Sequence, residues 1–242
     1  INQSDQVEDI DGEDKLGQPM INLSRVSDWG IVDLFVLPGF RERTWPGADG
    51  RLRPGLVVAA DKAEYEADSG KQHVDLALRW SHTIDLFDMG VHLFRGTNRD
   101  PILTPGLVGG DLQLIPYYEQ ITQIGFDGQA TIDSWLWKLE SRYRRSERDD
   151  YLALQGGFEY TFYGVQDSAR DLGVLLEYGR DQRGRDADSI SQNDLYAGGR
   201  LAWNDEADSQ VLAGVGYDLD YGSASVMVEA SRRVGNQWKL GA

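Results

Sequence analysis

The chain has 242 residues, a formal net charge of −16 and no cysteine. That balance argues against nucleic acid as a partner, because phosphate binding needs a basic surface. The missing thiols exclude disulfides, cysteine nucleophiles and cysteine-based metal sites. No run approaches the roughly 18 apolar residues of a membrane helix, which leaves soluble proteins and β-barrels, whose strands keep one polar face.

Residues 1–20 are expected to form an acidic tail or loop, carrying Asp5, Glu8, Asp9, Asp11, Glu13 and Asp14. The run 9–14 glances at a calcium loop, but Gly12 falls too early for an EF-hand. No signal peptide is visible at Ile1, so the chain is read as mature or cropped. A strand end at 21–25 precedes a tight turn at 27–30. Residues 31–43 then alternate, with Val32, Leu34, Val36 and Phe40 opposite Asp33, Arg41 and Arg43. Pro38-Gly39 marks a bulge or bend in that strand. Four Pro-Gly, Asp-Gly or Ser-Gly pairs make 44–71 a long loop, with a short strand at its centre, 55–61.

Val74, Leu76, Leu78 and Trp80 stand opposite Asp75, Ala77, Arg79 and Ser81 in the strand 73–83. A short turn at 85–88 leads into a strand at 89–97. Two Pro-containing turns and Gly109-Gly110 make 98–116 a second long loop. A less regular strand, 117–130, and a turn at 131–134 follow.

The most regular alternation comes next. Trp135, Trp137, Leu139, Ser141 and Tyr143 share one face; Leu136, Lys138, Glu140, Arg142 and Arg144 share the other. Large amphipathic aromatics at both ends of an apolar face are what a strand crossing a bilayer carries. Eight steps of roughly 3.3 Å at a tilt of about 45° rise about 19 Å, which fits an apolar band of about 25 Å.

Beyond the charged connection 145–150, the same period recurs at 151–163, 171–181, 194–204, 209–218 and 223–233, with one more strand starting at 237. That makes ten complete strands and two partial ones. Short turns at 27–30, 85–88, 131–134, 165–170 and 204–208 alternate with mostly longer connections, as in a barrel threaded through a membrane. The fold expected is all-β: a transmembrane antiparallel up-and-down β-barrel of twelve or more strands over residues 21–242.

The chain resembles Gram-negative outer-membrane β-barrels, and among them an uncharacterised proteobacterial porin-like family. The likeness runs through Phe35-Val-Leu-Pro-Gly-Phe-Arg-Glu-Arg43, Leu76-Ala-Leu-Arg-Trp-Ser-His82, Trp135-Leu-Trp-Lys-Leu-Glu140 and Gly157-Phe-Glu-Tyr-Thr-Phe162, from about residue 20 onwards. It implies a bacterial outer-membrane location and contact with membrane lipid and lipopolysaccharide. It implies no catalytic residue. Such barrels usually finish on a strand ending in an aromatic. This chain stops at Lys239-Leu-Gly-Ala242, so the barrel is expected to be incomplete at its C-terminus.

Two sets of residues carry the functional expectation. Arg79, Lys138, Glu140, Arg142, Arg144, Glu159, Glu177, Arg200 and Glu229 occupy the polar faces and are expected to line a lumen. There they either line an aqueous pore or pair into a packed, salt-bridged interior. Trp80, Trp135, Trp137, Tyr143, Tyr160, Tyr178, Trp203 and Tyr217 are expected at the membrane interfaces. His82 and His92, with Asp85 or Asp88, would make a metal or acid–base site, but no local motif supports one. Ser81 and His82 are adjacent and point to opposite faces, which argues against a lipase-like site. No catalytic residue, metal or cofactor is expected. Residues 181–188 form another oxygen-rich loop, whose arginines offset its acids.

The function expected is a porin-like passive channel for ions or small polar solutes, cations among them. The alternative is a non-conducting barrel whose extracellular loops bind a surface glycan, a divalent ion or a partner protein. A soluble barrel or sandwich has the same period of two.

Overall fold

The computed structural model describes residues 3–5, 7, 15–50, 54–187 and 191–241. The period-two segments become strands. β1 (Gln3–Ser4) pairs with β2 (Lys15–Leu16), antiparallel. Then follow β3 (Ile21–Ser27), β4 (Gly30–Pro38), β5 (Glu64–Tyr65), β6 (Val74–Ile84), β7 (Phe87–Thr97), β8 (Ile102–Val108) and β9 (Asp111–Tyr118). After these come β10 (Gln120–Ile132), β11 (Trp135–Arg145), β12 (Asp150–Phe162), β13 (Asp171–Asp181) and β14 (Asn193–Ala202). The chain ends with β15 (Gln210–Asp218), β16 (Ala224–Val234) and β17 (Trp238–Gly241).

Among the described residues, twelve of these strands form one antiparallel sheet in the order β3-β4-β6-β7-β10-β11-β12-β13-β14-β15-β16-β17. They correspond to the ten complete and two partial strands read from the alternation. The expected closure is not present. The sheet runs open from β3 to β17, whereas a barrel needs a ladder of hydrogen bonds joining its first and last strands. β3 is exposed on both faces and β17 is only four residues long. Among the described residues, no helix is long and apolar enough to cross a membrane.

Short connections use residues that tolerate a left-handed backbone. Asp85 (φ +53°) and Asp133 (φ +54°) open the β6–β7 and β10–β11 turns, and an aspartate is among the few side chains that accept that region.

The chain divides into two compact units. The first comprises Ile1–Trp80, His92–Ile124 and Arg144–Asp150; the second comprises Ser81–Val91, Gly125–Tyr143 and Tyr151–Ala242. In the first unit the two long loops are folded, which corrects the reading of 98–116 as a long loop. Gly109 (φ +64°) and Gly110 (φ +100°) make the turn of a β8–β9 hairpin. β5 adds to β9 in parallel, Glu64 beside Tyr117 and Tyr65 beside Tyr118, giving a three-stranded sheet. Pro105 is tolerated because β8 is an edge strand, and Pro116 lies outside the short β5 ladder.

Two further corrections belong to this unit. The strand expected at 31–43 stops at Pro38, which has no N–H to donate, and Gly39 (φ +101°) redirects the chain. Phe40 therefore enters a core with Leu37, Val58, Ala59 and Tyr118. The short strand expected within 55–61 reduces to one bridge, Val58 to Leu114, and a 3-10 turn at Ala60–Lys62. Tyr65 stacks on Tyr118 at 5.4 Å, and Phe40 meets Tyr118 edge-on at 4.9 Å. Burial pushes the Tyr118 hydroxyl up to about 12.

In the second unit, glycine decides how closely strands approach. A Cβ on Gly157 would stand 2.2 Å from the Leu176 carbonyl oxygen, and one on Gly173 would stand 2.6 Å from the Glu159 carboxylate.

On β6 and β13 the faces are inverted relative to a water-soluble sheet. On β6, Val74, Leu76 and Leu78 are 50, 48 and 39% exposed, while Asp75 and Ala77 between them are 0 and 7% exposed. On β13, Val174 and Leu176 are exposed while Gly173, Gly179 and Asp181 are buried. The apolar side faces out.

Candidate functional site

The polar side of the first unit centres on Asp75. Alternation on β6 places it opposite Val74 and Leu76, and its side chain is fully buried. A buried carboxylate is either paired and hydrogen-bonded or driven toward its protonated form. Asp75 accepts from His73 Nδ1 at 2.8 Å, from the Thr97 N–H at 2.9 Å and from Arg99 Nη1 at 2.5 Å. Gly96 makes room for it, since a Cβ there would lie 2.3 Å from the carboxylate.

Arg99, just past the end of β7, is itself built in. It donates to the Thr97 carbonyl at 2.6 Å and to Gln18 Oε1 at 3.2 Å. Its guanidinium lies 5.3 Å from the Phe40 ring centre and 4.9 Å from that of Phe94. Burial pulls Arg99 below its ordinary value, and the Asp75 hydrogen bond and charge work against that pull. The acidic N-terminal segment also contributes, because Gln3 donates to the Arg99 carbonyl at 2.9 Å. The calcium-like run 9–14 lies outside the described residues.

Next to this pair is a cavity of about 360 Å³. Its polar wall is Arg79, His92, Asn98, Arg99, Gln123 and Arg144. Its apolar wall includes Phe35, Ala77, Phe94 and Ile121. Arg144 is oriented by two bonds to Gln123 Oε1, both 3.1 Å, and one to Asn98 Oδ1 at 3.3 Å. His92 Nε2 stands 3.5 Å from Gln123 Nε2. The polar residues are held by neighbours rather than left to sweep through solvent.

Glu119, between β9 and β10, is a second buried carboxylate of this unit. Its nearest cation is Arg148 at 4.0 Å, and among the described residues its Oε1 has no hydrogen-bond partner. Burial raises its pKa above the ordinary 4.5, with Arg148 opposing. The folded state then keeps the proton over a range in which the unfolded chain has lost it. The contribution of Glu119 to stability is accordingly greatest below the ordinary value and falls as pH rises through it toward the folded value. Glu119→Gln is expected to flatten that fall. The urea midpoint, followed from about pH 4 to about pH 7, measures it.

The second unit holds the other seven residues expected to line a lumen. Arg200 and Glu159 form a close ion pair in the space left by Gly173. Glu177 accepts from Gln155 Nε2 at 3.1 Å. Arg142 lies 6.0 Å from the Tyr151 ring centre. Lys138, Glu140 and Glu229 are exposed. Arg79 and Arg144 are the two that the structure brings together, on the cavity of the first unit.

Of the aromatics expected at membrane interfaces, Trp135, Trp137 and Tyr160 join Phe158 and Phe162 in one cluster, with ring centres 4.7–5.5 Å apart. In the first unit Trp80 donates Nε1–H to the Trp29 carbonyl at 3.0 Å. Tyr178 donates to Asn193 Oδ1 at 2.9 Å; Tyr143 and Tyr217 are exposed and Trp203 is half-buried.

The histidine reading is not assembled. Asp88 accepts from Thr83 Oγ1 at 2.6 Å and Gln129 Nε2 at 3.1 Å, and His92 belongs to the cavity. Among the described residues no group of three or more His, Asp and Glu is placed to hold a metal. In the 181–188 loop, Arg183 binds Asp181 through Nη2 at 2.9 Å and Nε at 3.0 Å.

Among the site residues that sequence reasoning missed are Asp75, Asn98, Arg99, Gln123 and Phe35. Asp75 carried one signal, a carboxylate on the alternating polar face beside Arg79. Arg99 carried none, because it sits in what reads as a loop.

The fold and site define an all-β protein in which β6 and β13 expose valine and leucine and bury aspartate. Comparison with protein-family models, curated proteins and solved structures gives no match.

Proposed function

We propose that the chain is a porin-like β-barrel of the Gram-negative outer membrane, acting as a passive channel for ions or small polar solutes. The observation that carries this reading is the inverted amphipathicity of β6 and β13, with leucine and valine outward and aspartate inward. A sheet in water gains by the opposite arrangement, whereas lipid rewards this one. Ten of the sheet's strands run nine to thirteen residues, near the 9–11 that a tilted strand needs to cross a bilayer. The Trp135–Phe162 aromatic cluster suits an interfacial girdle. Membrane lipid and lipopolysaccharide are the partners of the outward face. The reading requires the open edges β3 and β17 to close on one another or on further strands.

The folded module of β5, β8 and β9 favours one alternative, a non-conducting barrel whose loop region binds a surface glycan, a divalent ion or a partner protein. Conductance of the refolded protein in a planar bilayer, under a salt gradient, decides between them. Stable steps with a cation-selective reversal potential, weakened by Glu140→Gln and Glu177→Gln, support the channel. Absence of steps from protein that shows heat-modifiable migration on a gel would sink it and leave the loop module as the functional part.

A further inference from the structure

We infer that the β8–β9 hairpin is a lipid-inserting element, whose tip pair Leu107 and Leu112 dips into the acyl layer of a membrane. Neither conduction nor a closed sheet is needed for this.

Cross-strand pairing puts Leu103 and Pro116, Pro105 and Leu114, and Leu107 and Leu112 on one face of the hairpin. That face leaves its core on the way to the tip. Pro116 is fully buried and Leu114 half-buried, whereas Leu112 and Leu107 are 53 and 77% exposed. The tip is unobstructed, since a Cβ on Gly109 or Gly110 would meet nothing within 4 Å. Residues 102–118 carry a single charge, Asp111, in a chain that is 26% charged. Charges gather instead at the base, where Glu64 pairs beside Tyr117 and Arg148 lines the same pocket. An apolar tip over a charged base that holds an amphipathic aromatic suits a segment seated at a membrane interface.

Two features select lipid over protein as the occupant. β8 is the outer strand of its sheet, but Pro105 at its middle has no N–H to give, which disfavours addition of a partner's strand. A second copy of the chain would bring another net charge of −16 towards Asp111. Acyl chains ask for neither a ladder nor a countercharge.

Because the chain has no cysteine, one introduced thiol can be labelled alone. Leu107→Cys, Thr104→Cys and Leu176→Cys chains each receive a polarity-sensitive nitrobenzoxadiazole dye. Each is refolded in the presence of phosphatidylcholine vesicles, with and without doxyl-labelled phosphatidylcholine. Thr104 is exposed on the opposite face of β8, nearer the base, and Leu176 reports on β13. The dye at position 107 is expected to shift to the blue and lose most of its emission to the doxyl lipid. The dye at position 104 is expected to keep most of its emission. Leu112→Asp in the Leu107→Cys chain is expected to abolish the loss, which separates insertion of the hairpin from partitioning of the dye. No loss at 107, equal loss at 107 and 104, or a loss unchanged by Leu112→Asp would overturn the assignment. A blue shift at 107 without loss to doxyl lipid would also overturn it, and would put protein over the tip. Quenching at 107 but not at 176 supports the hairpin and counts against a lipid-facing sheet; the reverse sinks the hairpin and leaves the channel reading standing. Should Leu107→Cys fail to fold, Leu112→Cys reports on the same pair.

Discussion

Leu176→Arg is expected to destabilise the protein in lipid by about 2–4 kcal/mol, the cost of a cation facing hydrocarbon near the bilayer midplane. Leu176 lies midway along β13, exposed, directly across from Phe158 on β12 and Ala197 on β14. If that face met water, the same substitution at an exposed position would fall within about ±0.5 kcal/mol. The two environments thus predict results well beyond error. Leu219→Arg, in the 219–223 connection, is the depth control, because the penalty falls to about 0–1 kcal/mol near an interface. Urea unfolding in lipid vesicles measures both. A Leu176→Arg effect no larger than that of Leu219→Arg would remove the membrane reading, whatever the conductance experiment gives.

Asp75→Ala is expected to cost about 3–5 kcal/mol, the usual consequence of leaving one partner of a buried ion pair behind. The size follows from how completely Arg99 is enclosed: its side chain is 13% exposed, between the rings of Phe40 and Phe94. Removing Asp75 also leaves the Thr97 N–H without its acceptor. The pair Asp75→Ala with Arg99→Met should recover part of the loss, since methionine fills the same slot without a charge to solvate. A double-mutant cycle on the urea midpoint isolates the coupling. Loss of less than about 1 kcal/mol in Asp75→Ala would mean that Arg99 is held by packing and its other hydrogen bonds alone.

By itself the sequence determined the strands and their order. A period of two sorts side chains onto two faces, and this chain keeps it in step with its turns; residues 171–181 become β13 with the same bounds. It also put Val74, Leu76 and Leu78 on the face opposite Asp75 and Ala77, whereas which of the two faces is buried was decided by the tertiary structure. Local punctuation was less faithful. Pro105, Gly109, Gly110 and Pro116 read as loop, yet two of them make a hairpin turn and two fall where no ladder bond is lost.

Only the tertiary structure decided what depends on neighbours distant in the chain. Arg99 finds Asp75 across 24 positions, Arg144 finds Gln123 across 21, and neither pairing has a local signature. The nine polar residues that alternation placed on one kind of face divide between the two units, because a face says which way a side chain points and not which partner it meets. Closure escaped the pattern for the same reason: whether a first and a last strand pair is a property of their edges, and alternation describes faces.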